Sequence, residues 1–139
     1  MEIQTFPYGD SLMVIAEVVA TALGAKRYPI TFLIDTGADV TTISPFEARA
    51  YGFNFKNFKR PKNPSIGVGG RQTCEFFIED VYLRFKTKIK GRDVIRRLAQ
   101  MDIIRPGKGK RINPMPSLMG VDLLKDFKLT FGTTMKLES

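Results

Sequence analysis

The sequence predicts one domain that is mainly β, with two or three short helices. Its 139 residues match the length of a single ordinary domain. Most apolar residues lie in short runs rich in β-branched side chains, separated by glycine, proline or polar turns. Hydrophobic residues make up 43% of the chain and charged residues 26%, which suits a buried core and excludes a disordered or fibrous protein. No repeat or linker divides residues 1–139.

The N-terminal half predicts three strands and one short helix. The strands are expected over residues 12–23, 28–35 and 40–44, with a turn over 24–27. Ser44 is suited to cap a helix that begins at Pro45 and ends near Gly52. Residues 54–64 are polar, basic and contain two prolines, so they predict a surface loop.

The C-terminal half predicts a hairpin, two further short helices and a last strand. Residues 66–70 are rich in glycine and precede strand-like residues 73–78 and 81–85, the pattern of a hairpin tip. Apolar residues near helical spacing predict an amphipathic helix over 93–101; they are Val94, Ile95, Leu98 and Met101. After a proline-rich loop, a brief helix is expected over 122–127 and the last strand over 128–131.

The composition excludes several kinds of chemistry. Histidine is absent, which removes serine and cysteine proteases of the histidine-dependent type. Cys74 is the only cysteine, so neither an intramolecular disulfide nor a cysteine-rich metal site is expected. We expect no cofactor. With no signal peptide at the N-terminus, we expect a cytoplasmic protein. The longest apolar run, 12–23, contains Glu17 and is too short to cross a membrane.

The positive charge is concentrated in one segment. Residues 86–111 contain ten basic and two acidic residues, so their net charge of +8 equals that of the whole chain. Such a segment either contacts an acidic partner or is a solvated surface. It contains few aromatic residues for stacking bases, so a nucleic-acid partner is not expected.

Asp35 is the main candidate for chemistry. It directly follows an apolar strand, where an unpaired charge is costly, so a carboxylate there is either a turn residue or part of a site. Asp35, Thr36 and Gly37 alone also fit a structural turn, since such residues favour turns through side chain to backbone bonds.

Three landmarks together resemble the retropepsin-like aspartic proteases, the single-domain family of the retroviral enzymes. They are LIDTGAD (33–39), similar to the active-site signature; IGVGG (66–70), similar to the flap tip; and LMGVDLL (118–124), similar to the last conserved motif. The resemblance covers about 12–131, with the basic insertion at about 86–116. It implies a closed β-barrel of the acid-protease half type, here over a single domain of residues 1–139.

The resemblance also implies a homodimer, because one chain supplies one catalytic aspartate. Asp35 of each chain would meet at a two-fold axis, share a proton and activate a water molecule. Thr36 matches the residue that hydrogen-bonds across this axis. Gly37 matches the position where a side chain would obstruct the close approach of the two backbones. Ala38 and Asp39 match positions that line the cleft, where Asp39 either contacts substrate backbone or forms a structural ion pair.

The glycine-rich tip would close over an extended polypeptide substrate. Its residues are Gly67, Val68, Gly69 and Gly70. An ordinary β-turn is the alternative for this stretch. Val121 stands where many retroviral enzymes have an arginine, so the last motif looks closer to the cellular branch of the family. The termini also lack an obvious match to the interleaved strands of viral dimers.

The sequence therefore predicts an aspartic endopeptidase that is active as a homodimer and cleaves extended polypeptide between largely apolar side chains. One alternative is a dimeric peptide-binding module that has kept the fold without catalysis. The intact Asp35, Thr36 and Gly37 argue against it. The other alternative is a nucleic-acid binder acting through 86–111, whose binding would weaken steeply with salt.

Overall fold

The computed structural model describes residues 1–61, 76–107, 114–132 and 134–139. Nine strands and two short α-helices are present there, and two 3₁₀ turns lie at Thr21–Leu23 and Phe55–Asn57. In chain order the strands and helices are β1 (Phe6–Tyr8), β2 (Ser11–Val19), β3 (Tyr28–Ile34), β4 (Thr42–Ile43), α1 (Pro45–Ala50), β5 (Phe76–Lys86), β6 (Asp93–Ile103), β7 (Ser117–Met119), α2 (Val121–Leu124), β8 (Lys128–Thr130) and β9 (Lys136–Glu138).

Six strands close into a barrel. Their order is β2, β3, β7, β4, β6 and β5, and β5 pairs back with β2. The pairs β3–β7 and β4–β6 are parallel, and the other barrel pairs are antiparallel. Strand β1 adds to β2 outside the ring, and β8 and β9 form a separate hairpin. The predicted mainly β barrel with few short helices is confirmed.

The barrel interior is filled by alternate residues of its strands. On β2 the inward set is Leu12, Val14, Ala16 and Val18, all buried. Period-2 alternation of this kind is expected where one face of a strand packs on a core. The largest fully buried side chains are Phe32, Phe85, Ile3, Ile30, Ile43, Ile78, Leu83, Met101, Ile103, Met119, Leu123 and Leu137.

The predicted helix over 93–101 is wrong, because these residues belong to strand β6 (Asp93–Ile103). The buried residues of β6 change parity between Leu98 and Met101, and those of β5 change parity between Ile78 and Val81. Val81 pairs with Leu98 and Ile78 with Met101, so both strands switch faces at the same level of the barrel. Because of this switch, the apolar residues of β6 have a spacing that is typical of a helix.

Within the described part of the basic segment, residues 86–107, strand β6 consequently belongs to the barrel wall. The segment begins at the end of β5, and β6 provides its longest element. Several charges in this hairpin have acidic partners: Arg84 lies 3.7 Å from Asp93, Lys88 lies 3.9 Å from Glu2, and Arg97 pairs with Asp80.

Strands β1 and β7 were not predicted, and the predicted elements differ from the observed ones mainly at their ends. Strand β2 stops at Val19, and the chain turns before Gly24, whose φ of +83° is left-handed. Ser44 caps α1 as predicted, with its hydroxyl accepting from Glu47 N at 3.2 Å. Strand β8 (Lys128–Thr130) is followed by β9 (Lys136–Glu138), which the sequence did not predict.

The glycine-rich residues 66–70 lie outside the described residues. Within the described part of the chain, neither helix has the length and hydrophobicity needed to span a membrane.

Candidate active site

Asp35 lies one residue beyond the end of β3, beside strand β7. Its backbone N donates to the carbonyl of Met119 at 3.1 Å, which continues the parallel β3–β7 pairing past the strand end. Gly37 N donates to Asp35 Oδ1 at 2.9 Å, and Ala38 N donates to the Asp35 carbonyl at 3.2 Å. The carboxylate is thus held at a turn, half-buried, with one oxygen occupied by a backbone donor.

Helix α2 supports the turn from the opposite side. Val121 N donates to the carbonyl of Ala38 at 2.8 Å, and Asp122 N donates to that of Asp39 at 3.2 Å. The carboxylate of Asp122 in turn accepts from Thr41, at 3.0 Å from the backbone N and 2.6 Å from the hydroxyl. Thr41 is fully buried, so these bonds satisfy polar groups that water cannot reach. The C-terminal half of the Asp35 loop is therefore anchored to one short helix, whereas Asp35 itself is bonded to β7.

Gly120 packs directly against the backbone of this loop. A Cβ at Gly120 would lie 2.6 Å from the carbonyl carbon of Val40 and 2.8 Å from the carbonyl oxygen of Ala38. Distances this short are not tolerated, so only glycine fits without moving the loop. Gly120 N also donates to Thr41 Oγ1 at 3.1 Å.

A buried carboxylate ties together the strands below the loop. Glu47 accepts from Thr31 N on β3 at 2.9 Å and from the hydroxyl of Ser117 on β7 at 2.7 Å. Ser117 Oγ accepts from Ser44 N at 2.9 Å, which brings in the end of β4. Burial raises the pKa of Glu47, although the hydrogen bonds from Thr31 and Ser117 partly oppose this shift. Glu47 thus links α1 to β3, which leads into the Asp35 loop, and to β7, which pairs with β3.

A cavity of about 180 Å³ opens beside Asp35. Its polar lining comes from Asp10, Ser11, Asp35 and Thr36. Its apolar lining comes from Leu12, Ile34, Leu129, Phe131 and Met135. Asp35 therefore borders a space that another molecule can enter.

The structure brings the predicted loop residues together on one turn. Thr36, Gly37 and Asp39 are exposed, while Ala38 is half-buried between the turn and α2. The predicted flap residues, Gly67, Val68, Gly69 and Gly70, fall outside the described residues. In the described part of the chain, no group of three or more acidic or cysteine side chains is placed to hold a metal ion.

Sequence reasoning gave no role to Thr41, Glu47 or Asp122. Ser44 and Glu47 have the spacing of a capping box, in which the Glu side chain returns to the N-cap backbone. Here Ser44 N bonds to Ser117 instead, and the Glu47 carboxylate reaches β3 and β7. No local pattern could have identified these partners, because they lie far away in the sequence.

Comparison with known proteins identifies the fold. No protein-family model matches the chain, and no curated protein matches it. Among solved structures, a retropepsin-like aspartic protease from Rickettsia conorii matches with a TM-score of 0.58 at 17% identity, covering 99% of this chain and 88% of that one. The retroviral protease-like domain of Ddi1 from Leishmania major matches with a TM-score of 0.48 at 15% identity, covering 91% and 92%. EIAV protease complexed with the inhibitor HBY-793 matches with a TM-score of 0.43 at 18% identity, covering 88% of this chain and 93% of that one. The match to the rickettsial protein shows that this chain has the fold of the retropepsin-like aspartic proteases.

Proposed function

We propose that this protein is an aspartic endopeptidase that is active as a homodimer, with Asp35 of each chain as the catalytic acid and base. The observation that carries the proposal is the placement of Asp35. It is a half-buried residue on a turn fixed by β7 and α2, and it borders a cavity. A fixed, accessible carboxylate at the end of a barrel strand is what acid–base chemistry on a bound substrate requires.

The proposed reaction needs two carboxylates and one water molecule. Two such groups a few ångströms apart cannot both ionise easily, so they share one proton. The ionised carboxylate takes a proton from water as the water oxygen bonds to the peptide carbonyl carbon. The protonated carboxyl gives its proton to the carbonyl oxygen. The C–N bond then breaks as the carboxyl that took the water proton gives it to the amine nitrogen, and the other carboxylate takes a proton from one hydroxyl of the intermediate. The products are a carboxylic acid and an amine, and the carboxylate pair again holds one proton.

Thr36, Gly37, Ala38 and Asp39 would complete the site. In this proposal Thr36 bonds across the two-fold axis, Gly37 allows the close approach of the two loops, and Ala38 with Asp39 lines the substrate cleft. The glycine-rich residues 67–70 would cover an extended substrate. The substrate is an unfolded or flexible polypeptide with apolar side chains at the cleavage site, because apolar side chains near the loop, such as the exposed Val40 and Val121, would contact it.

Asp10 provides a sharp control, because it is the other carboxylate that lines the Asp35 cavity. The test compares wild type, Asp35→Asn and Asp10→Asn for cleavage of an unfolded protein between about pH 3 and about pH 7. We expect Asp35→Asn to lower the rate by at least about a hundredfold, the range of a lost acid–base group, and Asp10→Asn to leave most activity. Light scattering would establish that each variant has the mass of the wild type.

Other results would change the proposal. Loss of activity in Asp10→Asn as well would indicate a dyad within one chain. A wild-type dimer that cleaves nothing over this range would favour a non-catalytic peptide-binding module.

A further inference from the structure

The β5–β6 hairpin ends in a tip that carries four cations and no acid. This hairpin tip, defined as residues 86–92, has the sequence KTKIKGR. Its basic residues are all exposed; they are Lys86, Lys88, Lys90 and Arg92. Lys88 lies 3.9 Å from Glu2, and within the described ranges the other three form no ion pair. Asp93 follows the tip, but its carboxylate lies 3.7 Å from Arg84. The hairpin tip therefore presents uncompensated positive charge to solvent.

Hydrogen bonds fix the backbone of the hairpin tip. Arg92 N donates to the Ile89 carbonyl at 3.1 Å and closes a four-residue turn, in which Gly91 has a left-handed φ of +81°. Thr87 is buried, and its hydroxyl donates to the Arg92 carbonyl at 2.6 Å and accepts from Ile89 N at 3.2 Å. A backbone that is already fixed loses little freedom when a partner binds, so this tip is suited to docking.

Apolar surface lies among and beside these cations. Ile89 is 54% exposed within the turn itself, a place where polar residues and glycine are usual. Phe6 and Ile15 are 45% and 43% exposed, and both line a cavity of about 250 Å³ together with Lys86. A single exposed apolar side chain is ordinary, whereas several beside one set of cations indicate an interaction surface. The partner must therefore supply both negative charge and an apolar phase.

A bilayer with anionic headgroups complements both features. Each lysine or arginine close to such a surface strengthens binding by about fivefold. An apolar side chain that protrudes among the cations can enter the boundary between headgroups and acyl chains. A nucleic acid would complement the charge alone, because the tip contains no aromatic side chain on which a base could stack. The observations therefore favour a lipid surface.

We propose that the hairpin tip docks the protein on a lipid surface that contains anionic headgroups. Ile89 enters the boundary between headgroups and acyl chains, and the four cations contact lipid phosphates. Docking of this kind holds a protein at the surface without any segment crossing the bilayer. None of residues 86–92 lines the cavity beside Asp35, so docking is separable from catalysis. Asp35→Asn should accordingly bind lipid vesicles as the wild type does.

The first test measures how much protein sediments with vesicles made of equal parts of phosphatidylglycerol and phosphatidylcholine. We expect the wild type to bind these vesicles, to bind vesicles of phosphatidylcholine alone at least about tenfold more weakly, and to dissociate as salt is raised. The double variant Lys88→Gln/Lys90→Gln should bind about thirtyfold more weakly, because two cations are lost. The control is Lys56→Gln/Lys125→Gln, which lowers the net charge equally at exposed positions outside the tip. It should bind within about threefold of the wild type.

Ile89→Ser tests the apolar contact. Burial of the exposed half of this side chain predicts that its loss weakens binding by about fivefold. Met115→Ser is the matched control, because Met115 is 57% exposed just before β7, and this variant should bind as the wild type does. Circular dichroism would show that all the variants are folded.

Several results would overturn the docking. They are an absence of vesicle binding, equal binding to neutral and anionic vesicles, and equal losses in the tip variants and their controls. Binding that needs the two lysines but not Ile89, with equally tight binding of polyuridylate RNA or polyglutamate, would reveal a general polyanion site instead. Vesicle binding that depends on Ile89 and the lysines, in a wild type that cleaves no polypeptide, would support the docking and remove the catalytic proposal.

A fluorescent probe at residue 89 tests insertion independently. In a Cys74→Ser background, Ile89→Cys is labelled with a dye whose emission shifts to the blue in an apolar environment. We expect a blue shift when the anionic vesicles are added, and none for the same dye on Met115→Cys. A probe at residue 89 that keeps its emission while the protein sediments with the vesicles would refute the insertion of Ile89.

Discussion

Replacing Gly120 by alanine tests the account of how the Asp35 loop is held. The backbone at Gly120 has φ −93° and ψ −177°, which alanine adopts without strain. The whole effect of the substitution is therefore the contact of the new Cβ with the loop. Three backbone atoms would lie at 2.6, 2.7 and 2.8 Å from it, in Val40 and Ala38.

The expected cost follows from these contacts. Overpacking in a close-packed interior typically costs about 1–3 kcal/mol, and the upper end applies here because backbone atoms cannot rotate away as a side chain can. We therefore expect the free energy of unfolding of Gly120→Ala to fall by about 3 kcal/mol. With a urea dependence of about 2 kcal/mol per molar for a protein of this size, the unfolding midpoint should fall by about 1.5 M.

The assay is urea unfolding followed by circular dichroism, with Gly107→Ala as the matched control. No atom outside its chain neighbours lies within 4 Å of a Cβ built at Gly107. The free energy of unfolding of Gly107→Ala should therefore differ from that of the wild type by no more than about 0.5 kcal/mol. Equal midpoints for the two variants would refute the argument that the loop packs rigidly on Gly120. Where Gly120→Ala remains folded, the proposed proteolytic activity should also fall, because a shifted loop displaces Asp35.

Two further substitutions test the polar network around the loop. Asp122→Ala leaves the buried N–H and hydroxyl of Thr41 without their acceptor. We therefore expect its free energy of unfolding, measured with urea, to fall by about 2–3 kcal/mol. Asp126 is exposed, so Asp126→Ala should lower the same quantity by less than about 0.5 kcal/mol. Equal losses would contradict this role. Because burial raises the pKa of Glu47, the wild type is stabilised most below the pKa of the unfolded chain and loses that stabilisation as the pH rises through the folded pKa. Glu47→Gln, which does not titrate, should show a smaller decrease in stability between about pH 4 and about pH 7; parallel pH profiles would contradict the shift.

The barrel strands with plain alternation were predictable from sequence, and β6 was not. Strand β2 alternates without interruption, so its inward face can be identified from its residues alone. The inward face of β6 switches at the level where Ile78 pairs with Met101, and that switch depends on β5. A pattern set by a neighbouring strand cannot be recognised within one segment.

The same limit applies to the site. Asp35 could be singled out locally, because a carboxylate after an apolar strand is unusual. The groups that hold its loop, such as Asp122 and Gly120, are far from it in sequence and meet it through the β3–β7 pairing. Glu47 could be assigned to a helix cap but not to its partners on two strands.

The parallel pairing of β3 with β7 also has a kinetic consequence. Leu33 pairs with Leu118, so most of the chain lies between two strands that must meet before the Asp35 loop gains its support. Closing a long loop is slow, and folds dominated by contacts between distant segments fold slowly. The carboxylate is therefore expected to reach its final position late in folding, after β7 and α2 have emerged during synthesis. A partly folded chain would then lack an assembled Asp35 loop. Refolding followed in time should show the proposed proteolytic activity returning after the bulk of the β-structure.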